Sequence, residues 1–262
     1  VNNKLEHFAD NVAYMDKLVG RVAAKLDELG IRDNTIVMFL GDNGTGRRIV
    51  SQFQGKAYPG GKGDTSARGT HVPLIVSWPG KIAGGSVNRD LISSTDFLPT
   101  MCAAAGVEPP TSAARDGQSF LPQLLGEQGA PRRWHYSWYG RGDGLETVHE
   151  SVMTKDYKLY RDGRFFDLTS DPYEEIPRPV GELTGKEADA AAELSRVLEQ
   201  FSEARPAEVA AAAEAAAEEA KERPRRQGRR RGRRRQSASH DAAAAGSIEL
   251  PAPGPQLPTG AA

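Results

Sequence analysis

Only one cysteine, Cys102, occurs in 262 residues, which excludes an internal disulfide and any thiolate metal cluster. No run of about 18 apolar residues occurs, so nothing in the sequence reads as a membrane span. The chain opens without Met and without the basic start, apolar middle and small-residue cleavage site of a signal peptide. It is therefore expected to be part of a longer protein. Aromatic residues stop at Phe201, and the rest runs Ala/Glu, then Arg, then Ala/Pro/Gly, a composition that builds no core. The net charge of −1 hides an asymmetry. Residues 221–235 carry ten basic residues and one acidic one, residues 236–262 carry two acidic ones, and −8 is left for residues 1–220. An acidic body carries a basic tail.

What is present is a regular alternation of helix and strand. Phe8, Val12, Met15, Val19, Val22, Leu26 and Leu29 recur at spacings of four and three, one face of an amphipathic helix, with Gly30 placed to end it. The apolar, partly β-branched run 35–40 predicts a buried strand, and 72–78, closing on Pro79-Gly80, predicts another. Ser94-Thr95-Asp96 cap a helix over 97–105 that Gly106 ends. Beyond about residue 125, short segments at 134–139, 147–153, 158–160 and 164–166, the last two joined by Asp162-Gly163, predict a small antiparallel sheet. A helix at 186–201 is placed to pack on it. A solvated helix is expected over 207–222, and disorder from 223 to the end.

Gly41-Asp42-Asn43-Gly44 stands at the carboxyl end of the first predicted strand, where ligand sites of open α/β sheets lie. A carboxylate beside an amide oxygen suits a hard divalent cation such as calcium or magnesium. The same residues make good turn chemistry, and on their own they leave both readings open. Twenty residues on, Gly60-Gly61-Lys62-Gly63-Asp64-Thr65 offers an ammonium among glycines, able to approach an anion with little obstruction. An exposed loop is the plainer reading of that segment.

The two segments, with Val72-Pro73-Leu74-Ile75-Val76 and Trp78-Pro79-Gly80 after them, resemble the second half of a sulfatase of the alkaline-phosphatase superfamily. Asp96-Phe97-Leu98-Pro99-Thr100, Lys158-Leu159-Tyr160, Phe166-Asp167-Leu168 and Asp171-Pro172-Tyr173-Glu174 extend the likeness over roughly residues 8–202. The resemblance implies an α/β fold: a partial alkaline-phosphatase-like mixed sheet flanked by helices, plus a small C-terminal antiparallel sheet with a helix. Residues 1–125 would be the C-terminal part of the catalytic domain, 126–202 the small subdomain, and 203–262 a low-complexity tail.

By the same resemblance Asp42 and Asn43 are two calcium ligands and Lys62 neutralises a sulfate oxygen. The family nucleophile is a formylglycine made within Cys/Ser-x-Pro-x-Arg, and that motif is absent here. Cys102 is followed by Ala103 and Ala104, and Ser77-Trp78-Pro79-Gly80-Lys81 has lysine where arginine is required. The nucleophile is thus expected upstream of Val1, and this chain is expected to carry only part of the active site and to be inactive alone. The family's usual segment after the lysine is replaced by Ala67-Arg68-Gly69-Thr70-His71, so Arg68 and His71 are weak candidates for substrate contact. His71 reads first as a structural histidine. Tyr139 and Arg141, in an aromatic-rich stretch, are further weak candidates beside a core reading of the aromatics.

The implied activity is calcium-dependent hydrolysis of sulfate esters, sulfated glycans among them, in a periplasmic or secreted protein. A phosphodiesterase or phosphonate hydrolase of the same superfamily is the nearest alternative. A noncatalytic polyanion binder is the other, since nine arginines in residues 223–235 favour phosphate or sulfate by counterion release. No aromatics interleave them, so specific nucleic-acid recognition is not expected.

Overall fold

The structure, a computed structural model, describes residues 7–53, 55–111, 116–140, 148–204, 207 and 211. Arg141, most of the helix expected over 207–222 and the arginine run at 223–235 lie outside the described residues.

The first helix, α1, runs Phe8–Glu28, and Gly30 follows at φ +66° in the left-handed region its position requires. A 3-10 turn at Arg32–Asn34 leads into β1, Val37–Leu40. That strand pairs antiparallel with β4, Leu74–Ser77, in the register Val37↔Ser77 to Leu40↔Leu74. Two side chains fasten the turn to the far end of β4: Arg32 Nη2 donates to Ser77 Oγ at 2.6 Å and Trp78 Nε1 donates to the Asp33 carbonyl at 3.0 Å. Between β1 and β4 lies a hairpin the sequence did not announce, β2 (Val50–Phe53) against β3 (Lys56–Pro59). It is followed by a single helical turn, α2, Ala67–Thr70.

One expectation fails here. The 35–40 and 72–78 runs predict buried strands, yet β1 and β4 are half-buried with Leu40 and Ile75 exposed, and no residue of α1 is buried. The reason is that β1 and β4 form a two-stranded ladder, too narrow to cover both of its own faces, and α1 touches chiefly the turn that follows it.

The next helix, α3, spans Phe97–Ala105 and ends at Gly106, φ +68°. Its entry is a capping box, with the Ser93 N–H donating to Asp96 Oδ2 and the Ser93 hydroxyl accepting from the Thr95 N–H. Asp96 does more than cap. Buried with Arg132, it accepts both Nε and Nη2 of that guanidinium and also the Gln118 N–H. Arg132 in turn reaches the Asp116 and Trp134 carbonyls, so one satisfied ion pair ties α3 to the segment entering the C-terminal sheet. The short helix α4, Leu121–Leu124, packs on α3.

The buried core belongs to the C-terminal half. Strands β5 (His135–Tyr139), β6 (His149–Met153), β7 (Tyr157–Tyr160), β8 (Arg164–Asp167) and β9 (Arg178–Pro179) form an antiparallel meander in sequential order. Gly163, at φ +89°, turns β7 into β8. Helix α5, Gly185–Gln200, lays Ala191, Leu194, Val197 and Leu198 on Val152, Leu159 and Phe165. Each of the buried leucine and valine side chains contributes about 1.5–3 kcal/mol. Phe201 closes the end by stacking on Tyr136 at 3.9 Å between ring centroids. Period-two geometry sends Lys158, Tyr160 and Phe166 to the opposite face. That face meets the loop carrying Lys62.

Candidate active site

Backbone hydrogen bonds join the two segments singled out in the sequence. Gly41 N–H donates to the Pro73 carbonyl at 3.1 Å, Gly44 N–H to Gly69 O at 2.9 Å and Lys62 N–H to Thr45 O at 2.9 Å. The approach is close enough to demand glycine. A Cβ on Gly44 would lie 1.9 Å from the Arg68 carbonyl oxygen, one on Gly60 2.4 Å from the Thr45 and Gly46 oxygens, and one on Gly69 2.1 Å from the Asp64 oxygen. Backbone packed on backbone, without side chains between, fixes the Asp42-Asn43 turn beside the Lys62 loop.

Within this assembly Asp42 and Lys62 are exposed and Asn43 is half-buried. The Asn43 amide donates to the Asp42 carboxylate. The Lys62 ammonium forms no hydrogen bond or ion pair with the described residues, whereas its neighbour Asp64 is held by Arg47. As a calcium site the pair fits in kind, being hard oxygen donors, and supplies only part of the six to eight ligands that ion takes. Among the described residues no group of three His, Cys, Asp or Glu side chains could hold a metal ion.

The weaker candidates separate. Arg68 is engaged: its guanidinium donates to Glu175 Oε1 at 2.9 Å and lies 4.1 Å above the Tyr173 ring. His71 ends α2, its N–H bonded to the Ala67 carbonyl and its side chain exposed. Tyr139 is at the last position of β5, paired across the ladder with His149, while Arg141 lies outside the described residues. Among the described residues no hydrogen bond or ion pair joins Asp42 or Lys62 to Tyr139 or His71.

The sequence reading missed the group behind the loop. Lys158 Nζ, nearly buried, donates to Glu174 Oε1 at 2.8 Å and to the Thr65 carbonyl at 2.5 Å. The Tyr160 hydroxyl donates to Glu174, so its single proton is used and the Thr65 hydroxyl, 2.8 Å away, must be the donor in their bond. Burial pushes the Lys158 ammonium below its usual range, and Glu174 opposes that shift. Burial and the Glu174 contact push the Tyr160 phenol well above its own. Glu174 is the non-glycine residue with a left-handed backbone among those described, at φ 59°, a conformation uncommon for a residue with a Cβ. In the sequence, Lys158 and Glu174 stand out only through the family likeness.

A cavity lies elsewhere. A cleft of about 610 Å³ lies between α5 and the β6–β7 turn, lined in part by Arg133, Lys155, Lys186 and Arg196. None of the site residues above lines it.

Two family models match the chain: "Sulfatase" over residues 2–107, and "N-sulphoglucosamine sulphohydrolase, C-terminal" over residues 65–202, more than half of the chain. The chain belongs to the sulfatase family. Among curated relatives of this sulfatase chain, dog N-acetylgalactosamine-6-sulfatase is 33% identical over 165 residues, covering 60% of the chain and 31% of the relative. Human arylsulfatase A is 33% identical over 169 residues, covering 63% and 33%. The chain thus spans no more than a third of these relatives. Among solved structures, BT4656 in complex with its substrate D-glucosamine-2-N,6-O-disulfate aligns at TM-score 0.58 and 26% identity, covering 73% of this chain and 39% of that one. BT1596, a 2-O GAG sulfatase, aligns at TM-score 0.57 and 24% identity, covering 75% and 42%, and bears on the fold alone. The sulfatase chain therefore has the partial alkaline-phosphatase-like architecture with a C-terminal antiparallel sheet and helix that its sequence predicts.

Proposed function

We propose that this chain supplies the second half of the active site of a sulfuric ester hydrolase. The observation that carries the reading is the union of the Asp42-Asn43 turn with the Lys62 loop through paired backbone bonds and a glycine seam, in a chain of the sulfatase family. In hydrolysis of a sulfate ester the charge that develops on the sulfuryl oxygens needs fixed cations beside it. Lys62, exposed and without a charged partner among the described residues, would meet one such oxygen. Asp42 and Asn43 would hold part of a calcium ion's coordination sphere, and the bound ion would supply electrostatic stabilisation of the sulfate. The nucleophile, a formylglycine, and the remaining ligands would come from upstream sequence. The substrate class we infer is a sulfated glycan, the class to which the ligand of BT4656 belongs. The family likeness supports a periplasmic or secreted setting, and no described helix is long and apolar enough to cross a membrane.

The test is Lys62→Ala in the full-length enzyme. One cationic contact to the transferring group is worth about 2–4 kcal/mol at the transition state, so turnover should fall by roughly a hundredfold or more, with the melting temperature unchanged. Lys62→Arg should restore only part of it, because a planar fork does not replace a point charge in a tight loop. Early melting with normal turnover per folded molecule would make the lysine structural. Turnover of a phosphate ester with none of a sulfate ester would move the assignment to the phosphodiesterase alternative.

A further inference from the structure

We propose that Lys158, Tyr160 and Glu174 are positioning residues that hold the Lys62 loop at its working distance from the anion. The inference rests on reading Lys62 as the anion contact. Lys62 itself is tied to the strand-end turn through its N–H to Thr45 O, with Gly60 N–H to Ile49 O and the Arg47–Asp64 ion pair on either side of it. Its side chain makes no hydrogen bond or ion pair with the described residues, and three glycines flank it at Gly60, Gly61 and Gly63. A segment so poor in side-chain packing has little of its own to keep it still.

The restraint comes from three residues downstream. Thr65 is gripped twice from β7, its carbonyl accepting from Lys158 Nζ at 2.5 Å and its hydroxyl donating to the Tyr160 oxygen at 2.8 Å. Glu174 holds both partners at once, Lys158 at 2.8 Å through one oxygen and Tyr160 through the other. It does so from a left-handed backbone, φ 59°, that glycine would adopt more readily. A second contact beside it has the same sense, since Arg68 reaches Glu175 at 2.9 Å and covers Tyr173. The turn itself is shaped by Asp171, whose carboxylate accepts the N–H groups of Glu175 and Ile176.

A buried lysine–glutamate pair is an expensive way to gain stability, because apolar residues of the same volume commonly serve as well. What the charged group provides and an apolar one does not is direction. Ammonium, carboxylate and phenol each fix an angle, and the loop is thereby held in place where Lys62 is needed.

The experiment uses the full-length enzyme with Thr65→Val and Tyr160→Phe, each of which removes one hydroxyl and keeps the packing volume, and Glu174→Gln as the severe variant. Hydrogen exchange is followed at residues 61–69, whose Lys62, Asp64 and Gly69 amides are bonded. Turnover and KM are measured with a sulfated glucosamine. With one net hydrogen bond lost, Thr65→Val and Tyr160→Phe should each raise exchange in this loop about fivefold and lower kcat about fivefold, global melting staying near that of the parent. In a Lys62→Ala background the same substitutions should still raise exchange but lower kcat no further, since the group being positioned is gone. Unchanged exchange in the hydroxyl variants overturns the proposal. Faster exchange with undiminished kcat also overturns it, because the clamp would then be structural alone. If Lys62→Ala by itself leaves kcat intact, the reading of Lys62 fails, and the exchange data still report separately whether the clamp holds the loop.

Discussion

Replacing Gly44 by alanine tests the glycine seam, and Gly46, two residues away, provides the control. At Gly44 the added methyl carbon would lie 1.9 Å from the Arg68 carbonyl oxygen and 2.8 Å from the Gly69 Cα. A carbon and a carbonyl oxygen in contact rest at about 3.3 Å, so one backbone must retreat by roughly 1.4 Å. Both neighbours are main chain and cannot swing aside as a side chain would. The retreat breaks the 2.9 Å bond from Gly44 N–H to Gly69 O, which adds about 1 kcal/mol to an overpacking cost of about 1–3 kcal/mol. Gly44→Ala should therefore lose about 2–4 kcal/mol. At Gly46 a Cβ meets nothing within 4 Å and the backbone is not left-handed. Gly46→Ala should be neutral, or more stable by about 0.4–1 kcal/mol through the unfolded chain. Urea titration of the two variants measures the difference, and hydrogen exchange at Lys62 and Gly69 locates it. Equal midpoints would mean that the turn and the lysine loop are not in contact, and the candidate site would dissolve with that contact.

Leu194, fully buried between α5 and the sheet, should cost about 2–5 kcal/mol on replacement by alanine, read as a lowered urea midpoint; less than 1 kcal/mol would put the core elsewhere. Arg132→Met strands the buried Asp96 carboxylate and should cost about 3–5 kcal/mol, with Asp96→Asn in the same chain recovering part of it; the paired and single variants are compared by denaturation. Burial, ahead of the charges on Arg132 and Lys158 and against that of Asp96, holds the His135 imidazole below its usual range. The unfolded chain then takes up a proton near pH 6.5 that the folded chain refuses until lower pH. This contribution is complete above that pH and is lost as pH falls from there through the folded value. His135→Gln should flatten the melting temperature between pH 7 and pH 5, and an unaltered slope would refute the assignment.

Local signals carried most of the elements. The three-and-four spacing placed α1 within a residue of its ends, Gly106 stopped α3 where expected, and Asp162-Gly163 turned β7 into β8. Each of these depends on residues close together in the chain. The hairpin β2–β3 was missed because Val50–Phe53 is mostly exposed and Lys56–Pro59 carries a proline, so neither shows an apolar alternation. Burial of β1 was overestimated for a different reason. A run such as Val37–Leu40 shows that a strand suits burial, and whether a layer lies over it is set by the rest of the fold. Of the candidate site, Asp42, Asn43 and Lys62 were singled out through the family likeness, because a plain turn and an exposed loop account locally for the same residues. The pairing of Asp96 with Arg132 across 36 positions, and of Lys158 with Thr65 across 93, has no local trace.

The distribution of paired and unpaired charge is a further argument for where the chemistry lies. Asp96 is matched by Arg132, Glu150 by Arg161, and Glu174 by Lys158. In the interior each charge is spent on a partner, as the cost of an unpaired one demands. Along the seam between the strand-end turn and the glycine loop the pattern reverses. Asp64 is met by Arg47 and Arg68 by Glu175, which leaves Lys62 exposed with no charged partner among the described residues and Asp42 with a neighbouring amide. Close backbone packing at Gly44, Gly60 and Gly69 thus holds in place one cation and one carboxylate that have no charged partner among the described residues. Packing of that kind gains no apolar burial worth the constraint. It is accounted for if the partners of Lys62 and Asp42 are an anion and a metal ion.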